Sequence, residues 1–205
     1  NIAVKSSTPS GTKTAHKDKK IIKQKDTILF YKNQSINITP QYTPRESWDK
    51  HYDKILKNEN DEYSFCKVLD VMKEEGLIFS KLEEVNPTNK KVRQFIEKYS
   101  DNIFRLQSHK NKDIDKLSRT KYKDEVFEHI EGGELKGLYY NGQVITKIKQ
   151  GLKKVLFGKK EDYYWSTLLC DFWGDIDFQN TQNEGGVRLT NGKKPEALIK
   201  RIIEM

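Results

Sequence analysis

The stretch that most constrains the fold is the closing one, EGGVRLTNGKKPEALIKRIIEM, at residues 184–205. Two adjacent glycines lead into a charged Asn-Gly-Lys-Lys turn, a proline, and then isoleucines at helical spacing. Pro195 suits the first position of a helix, and Glu196 suits its positive N-terminal end. The pattern therefore predicts a loop, a turn and a helix in that order. The helical pattern continues to Met205, so we expect the chain to be cut from a longer protein.

The length and charge of the chain point to a folded, basic protein. A chain of 205 residues makes one large domain or two small ones, and 9 Phe, 10 Tyr and 3 Trp argue against global disorder. The formal net charge is +8, of which residues 1–32 contribute +6, from eight Lys against two Asp. Such an excess favours a polyanionic partner, most commonly nucleic acid; the alternative is that the lysines serve only solubility.

Several classes of protein are excluded by the residues present. Cys66 and Cys170 lie about a hundred positions apart, which fits neither a disulfide framework nor a metal site, and the histidines lack metal-ligand spacing. We therefore expect no metal and a reduced, cytoplasmic chain. No apolar run is long enough to span a membrane, and the first residues do not resemble a signal peptide.

The first thirty residues predict two strands around an exposed loop. The alternating stretch NIAVK, residues 1–5, is typical of a short strand. A Ser-, Thr- and Lys-rich segment follows, and then the apolar run TILFY at residues 27–31. A continuous apolar run of this kind predicts a strand buried on both faces, as in a mostly parallel sheet.

The middle of the chain predicts helices first and a hairpin later. Residues 43–58, 61–76 and 86–104 each combine apolar spacing with start or stop signals of a helix. Residues 103–107 suggest a strand, and Asn141-Gly142 between alternating residues predicts a tight hairpin. The apolar stripes are interpreted as core rather than as ligand sites.

Two ends of the sequence resemble one protein family. Ser10-Gly11, Lys13 and Ala15-His16, followed by the apolar run ending in Tyr-Lys, are similar to the loop and strand after the catalytic motif in β-class adenine DNA methyltransferases. The modification (Mod) subunits of type III restriction systems carry such a loop. The order EGG, NGKKP and amphipathic helix resembles motif X of the same proteins. The two matches cover about 55 residues; the part between them matches by position only.

The resemblance implies a domain organisation and an α+β fold class. Residues 1–33 would belong to the methyltransferase catalytic domain, residues 34–165 would form the target recognition domain, and residues 166–205 would return to the catalytic domain with motif X. On this interpretation a helix-rich insertion with a β-hairpin is flanked by edge segments of a doubly wound α/β methyltransferase sheet.

The resemblance also implies an activity for the parent protein. The parent would transfer a methyl group from S-adenosylmethionine to adenine in a specific double-stranded DNA site, with a restriction endonuclease subunit and a second Mod copy as partners. This chain has neither an Asp-Pro-Pro-Tyr-type motif nor a Phe-x-Gly-x-Gly-type loop. Because methylating an amino group requires a flipped base and a bound cofactor, we expect the chain to bind DNA without turnover. The alternative is a stand-alone basic nucleic-acid-binding module with no methyltransferase parent.

Candidate site residues fall into two groups. The resemblance places the cofactor's methionine end near the motif X turn, at Asn191, Gly192, Lys194 and Pro195. The mixture of Lys, Arg, Asn, Ser and Thr in residues 108–123 suits groove reading, since Lys neutralises phosphate while Arg and Asn can pair with base edges. The alternatives are a capped helix, a flexible loop and a polar linker. The DNA-binding candidates are Lys13, Lys17, Lys19, Lys20, Lys110, Asn111, Lys112, Arg119, Lys121, Lys153 and Lys154.

Overall fold

The structure is a computed structural model. It describes residues 1–6, 24–31, 37–60, 62–158, 160–178, 181, 184–187, 189 and 192–205. The chain divides into two compact units: unit 1 is Asn1–Tyr42 with Leu168–Met205, and unit 2 is Thr43–Thr167. The assignment of a catalytic segment and a recognition domain to these parts stays a prediction.

Both units contain strands and helices. The helices are α1 (Val68–Glu74), α2 (Lys90–Lys98), α3 (Lys112–Thr120) and α4 (Glu196–Glu204). The strands are β1 (Ile2–Lys5), β2 (Lys25–Ile28), β3 (Tyr42–Pro44), β4 (Lys54–Glu59), β5 (Glu62–Lys67), β6 (Ile103–Gln107), β7 (Val126–Glu131), β8 (Glu134–Tyr140), β9 (Gln143–Lys147), β10 (Leu152–Phe157), β11 (Lys160–Leu168) and β12 (Phe172–Trp173).

Unit 1 is built on a three-stranded sheet in the order β12-β1-β2. Strand β1 runs parallel to β12 and antiparallel to β2. One face of this sheet buries Val4 and Trp173, which pack with Leu198 of α4. The strand predicted from NIAVK is therefore confirmed. The predicted strand at 27–31 is wrong in extent: β2 is Lys25–Ile28, at the edge of the sheet as described, and Tyr31 is 85% exposed.

The predicted C-terminal helix is confirmed as α4, and only part of its apolar surface is buried. Leu198 is buried, and Ile202 and Met205 pack against the same cluster, whereas Ile203 is 78% exposed. Arg201 reinforces the contact: its two terminal nitrogens donate to both carboxylate oxygens of Asp175, at 3.0 and 2.6 Å.

Unit 2 contains a six-stranded antiparallel sheet in the order β5-β4-β6-β9-β8-β7. The sheet is curved, so that side chains from near its two edges meet. Tyr63 of β5 donates a hydrogen bond to Glu128 of β7, and the rings of Phe65 and Tyr140 lie 4.9 Å apart. The concave face encloses a small apolar cluster that includes the fully buried Phe104.

The larger core of unit 2 lies on the opposite face of the sheet. Alternate residues of a strand face opposite sides, so Ile55 and Ile103 point away from the concave cluster. They pack with residues of α1 and α2 and with the ring of Trp165. The predicted hairpin is confirmed: Asn141 and Gly142, both with positive φ, join β8 to β9. The strand predicted at residues 103–107 is confirmed as β6.

The helix-rich description of the middle segment is wrong for the described residues, because nine strands (β3 to β11) accompany three α-helices there. Residues 43–58 do not form a helix; they contain β4, which is hydrogen-bonded to β5 and β6. In the second predicted helix, the described residues form β5 and then α1. Only the third predicted helix is confirmed, as α2 with Asn89 as its N-cap.

A third sheet in the order β10-β11-β3 completes the strands of the chain as described. Within the described residues, every helix is too short or too polar to cross a lipid bilayer.

Candidate nucleic-acid interface

The segment predicted to read a DNA groove, residues 108–123, forms helix α3. The side chain of Asn111 caps the helix: its amide oxygen accepts hydrogen bonds from the backbone nitrogens of Asp113 (3.1 Å) and Ile114 (3.2 Å). Acidic residues in the first turn, Asp113 and Asp115, suit the positive N-terminal end of a helix. The local sequence therefore starts a helix just after a run of polar residues.

One face of α3 is held against the turn between β8 and β9. Ser118 is fully buried, and its hydroxyl oxygen accepts a hydrogen bond from the backbone nitrogen of Gly142 at 3.0 Å. Asn141 and Asp124 exchange two further hydrogen bonds of 2.8 Å, which fix the turn to the chain that follows the helix. Ile114, one helical turn before Ser118, is 7% exposed. The helix is therefore anchored through its Ile114 and Ser118 face.

The opposite face of α3 carries a stripe of basic residues. Lys112, Lys116 and Arg119 are exposed and follow the i, i+4, i+7 spacing. At about 100° per residue they fall within an arc of about 60°, and the arc is centred roughly 150° from the buried residues. We name these three residues the basic stripe. Lys112 and Lys116 are directed to solvent, whereas the guanidinium of the partly exposed Arg119 also lies beside Gly142 of the turn.

Arg119 is oriented within the stripe by a neighbour on its own helix. Its Nε donates to Oδ1 of Asp115 at 2.8 Å, and the two side chains are 57% and 38% exposed. Among the described residues, no partner is found for the two terminal guanidinium nitrogens of Arg119. Two donor groups of the planar guanidinium thus remain available to a ligand.

The other predicted residues of this segment surround the helix. Lys110 precedes the N-cap and is exposed, and Lys121 follows the helix with its ammonium 5.2 Å from the ring centroid of Tyr122. Within the described part of the chain, Lys110, Lys112, Lys116 and Lys121 form no ion pairs. Asn111 is different, because its amide oxygen already caps α3 and a bidentate contact to adenine would have to break that cap. Base reading by Asn111 stays a prediction.

The second lysine-rich run, residues 147–160, is less available than its sequence suggests. Lys149, Lys154 and Lys160 form ion pairs, at 2.8 Å with Asp101, 3.1 Å with Glu161 and 3.1 Å with Asp162 respectively. Lys153 and Lys154 are adjacent in β10 and therefore point to opposite faces of the β10–β11 hairpin. The two lysines cannot grip one phosphate surface together. Contact of either lysine with DNA remains a prediction.

Several predicted residues lie outside the described part of the chain. These are Lys13, Lys17, Lys19, Lys20 and Asn191.

Binding of S-adenosylmethionine by the predicted turn at Asn191, Gly192, Lys194 and Pro195 stays a prediction. Pro195 is fully buried and is the N-cap of α4. The helix therefore begins at Glu196, one residue later than predicted. Lys194 lies 3.6 Å from Asp26, and a Cβ on Gly192 would meet nothing within 4 Å. The neighbouring Lys193 instead ties the loop together, because its ammonium donates to the carbonyl oxygens of Glu184 and Val187.

Sequence reasoning missed Lys116, Asp115 and Lys193. Lys116 could have been found once residues 112–120 were recognised as a helix, because it is then on one face with Lys112 and Arg119. Asp115 precedes Arg119 by four residues, which is the spacing of helical ion pairs. Nothing in the sequence distinguishes Lys193 from Lys194.

Comparison with known proteins adds one match. A stretch of 55 residues is 42% identical to the probable type III restriction-modification enzyme HindVI Mod subunit of Haemophilus influenzae. The matched stretch is 26% of this chain and 7% of that protein. The chain matches no protein-family model and no solved structure. About a quarter of this chain is thus similar to a small part of a type III Mod subunit.

Proposed function

We propose that this chain binds double-stranded DNA through α3, as the target recognition part of a site-specific adenine DNA methyltransferase of a type III restriction-modification system. The observation that supports the proposal is the basic stripe, Lys112, Lys116 and Arg119, on the solvent face of an anchored helix. The similarity of 55 residues to a Mod subunit supports the class of parent protein.

The stripe has the chemistry that duplex recognition requires. An α-helix fits the major groove, where each base pair presents a distinct pattern of donors and acceptors. Lys112 and Lys116 supply point charges for phosphate oxygens, and Arg119 supplies the planar fork that suits a base edge. The helix is held from behind by Ser118 and Ile114, so its stripe can enter a groove without rearrangement of the sheet.

In this proposal the chain positions DNA, and the chemistry belongs to other parts of the parent protein. S-adenosylmethionine supplies the methyl group, and a base flipped from the duplex accepts it. A restriction endonuclease subunit and a second Mod copy are the proposed partners, and the proposed location is the cytoplasm. The chain alone is expected to transfer no methyl group, which incubation with labelled cofactor and mixed-sequence DNA would test.

The binding proposal is tested by two variants that each remove three positive charges. The stripe variant replaces Lys112, Lys116 and Arg119 with Gln. The control variant replaces Lys149, Lys154 and Lys160, which are already ion-paired, with Gln. Binding is measured by fluorescence anisotropy on a mixed-sequence duplex at several salt concentrations.

The stripe variant is expected to lose most of its affinity, and the slope of log affinity against log salt should become shallower by about 2, close to one unit for each of the phosphate contacts of Lys112 and Lys116. The control variant should stay much nearer to the wild type. Equal losses in both variants would show that total charge alone drives binding. An unmodified chain with no measurable affinity for the duplex would exclude the proposal altogether.

A further inference from the structure

The Asp115–Arg119 pair rests directly on the turn between β8 and β9. A Cβ added to Gly142 would lie 2.1 Å from Oδ1 of Asp115 and 2.3 Å from Nε of Arg119. No real Cβ contact is this short, so with any other residue at this position the two side chains would have to shift from the places they occupy. The φ of +78° at Gly142 also favours glycine, since the turn requires a left-handed conformation. The ion pair and the turn therefore form one packed unit.

The turn that supports the pair is itself fixed in three directions. The backbone nitrogen of Gly142 donates to the buried hydroxyl of Ser118, and Asn141 exchanges two hydrogen bonds with Asp124. Strands β8 and β9 continue into the sheet on the far side. The guanidinium of Arg119 thus lies on a turn that is held by hydrogen bonds, with the carboxylate of Asp115 beside its Nε.

We propose that Asp115 and the Asn141–Gly142 turn position Arg119 to read one guanine in the major groove. This inference rests on the proposed function, since it concerns the same helix and the same duplex. The terminal nitrogens of Arg119, which face no acceptor among the described residues, can donate together to O6 and N7 of guanine. Asp115 and Gly142 are positioning residues, because they act on the base through Arg119.

Holding the Arg119 side chain in place before DNA binds favours its contact with a base. An arginine side chain loses rotamer freedom when it contacts a base, and this loss opposes binding. Asp115 holds Nε, which leaves fewer rotamers to be lost on binding DNA. An ordinary surface ion pair of this spacing contributes little to stability. Such a pair does not require a glycine packed against it. The close packing on Gly142 distinguishes this pair from the other exposed ion pairs among the described residues.

The test uses the full 205-residue chain and selection from a pool of duplexes with randomised sequence. The wild type is expected to select guanine at one position. Arg119→Lys keeps the charge but lacks the fork, so its preference for guanine there should fall by about 5- to 150-fold. Asp115→Asn should weaken the same preference while leaving affinity for mixed-sequence DNA within about threefold, since phosphate contacts carry no sequence information.

Asp113→Asn is the matched control, because it removes the same charge from the same helix without touching Arg119. It should keep the wild-type preference. The NMR resonance of Arg119 Nε–H, which Asp115 holds by a hydrogen bond, should shift in Asp115→Asn and stay in place in Asp113→Asn. That signal reports positioning even in a variant that selects poorly.

The outcomes separate this inference from the function it rests on. A selected preference that survives Asp115→Asn but not Arg119→Lys would overturn the positioning role and leave DNA binding by α3 intact. If the wild type binds duplexes but has no guanine preference that Arg119→Lys removes, the assignment of guanine to Arg119 is overturned. A wild type that retains no duplex from the pool would overturn the proposed function itself.

Discussion

At the scale of single residues, Asn111 controls the start of α3. Its amide oxygen accepts two backbone hydrogen bonds that the first turn of the helix cannot satisfy internally. Asn111→Ala should lower the free energy of unfolding by about 0.5–2 kcal/mol. Urea denaturation followed by circular dichroism measures this change.

Asn111→Asp serves as the control for the capping prediction. Aspartate caps a helix about as well as asparagine, so this variant should unfold close to the wild type. If alanine and aspartate destabilise the chain equally, the cap does not account for the role of Asn111.

Gly142 offers a second prediction at this scale. Gly142→Ala meets both a positive φ and a clash with the Asp115–Arg119 pair. Gly76 has nearly the same φ, +77°, but open space around its Cβ position. Gly76→Ala should cost about 1–2 kcal/mol from backbone strain alone, and Gly142→Ala should cost more. Equal costs in urea denaturation would mean that the ion pair moves aside freely.

Sequence alone predicts single residues well where a local rule applies. The Asn141-Gly142 turn followed from the positive φ that a two-residue hairpin requires at both positions. Arg119 was identified by its side-chain chemistry, but its partner Asp115 became visible only when the segment proved to be a helix. The capping role of Asn111 was also missed because the helix was not predicted. The same amide group serves capping and base reading, so the residue type alone does not separate the two roles.

At the scale of elements, Asp162 of β11 links its strand to α2. Arg93 donates to its carboxylate at 2.8 Å and lies with its guanidinium 4.0 Å from the ring centroid of Tyr164. Hydrogen bonds from Arg93, then from Lys160 and the backbone of Tyr163, hold the pKa of Asp162 well below its ordinary value of 3.8.

The direction of this pKa shift fixes the pH at which the link acts. A carboxyl group with a depressed pKa in the folded state stabilises the fold above its ordinary pKa, and that stability is lost as the pH falls through the depressed value. Asp162→Asn should therefore flatten the decline of stability below about pH 4. Urea denaturation from pH 7 to pH 2 measures this decline.

Glu161→Gln is the control for the acid prediction, since it removes one charge from the same strand without contacting Arg93. A wild-type decline that is unchanged in Asp162→Asn would contradict the link. If Glu161→Gln flattens the decline as strongly, the effect comes from general charge rather than from the Arg93 contact.

Elements were predicted less reliably than residues, and the physical reason is strand pairing. Residues 54–59 carry lysines and asparagine that do not favour a strand, yet β4 lies between β5 and β6 and gains hydrogen bonds on both sides. In residues 61–76, Phe65 belongs to a strand and packs with the concave cluster, while Val68 and Met72 belong to α1. Helical spacing across that boundary was coincidental.

At the scale of the whole molecule, each unit has its own core. The two apolar clusters of unit 2 are made entirely of residues from within Thr43–Thr167. We therefore expect residues 43–167, expressed alone, to unfold cooperatively in urea. A gradual transition without a cooperative midpoint would show that unit 2 depends on unit 1.

The charge of the molecule is divided unevenly between its parts. Residues 1–32 hold six of the eight net positive charges, so the remaining residues, which include α3, are nearly balanced. Net charge alone would have placed the DNA contact in the first segment. We place the proposed contact in α3 instead, because two lysines without ion pairs among the described residues share one face of that helix with Arg119. No sequence count could reveal this arrangement, since it depends on which lysines find carboxylate partners.

The most direct measurement of the central claim is photo-crosslinking of the chain to a duplex with photoreactive bases, followed by identification of the joined peptide. If α3 lies in the major groove, crosslinks should concentrate in residues 110–123 and should disappear in the variant that lacks the basic stripe. Crosslinks confined to residues 1–32 or 147–160, with none in α3, would contradict the account.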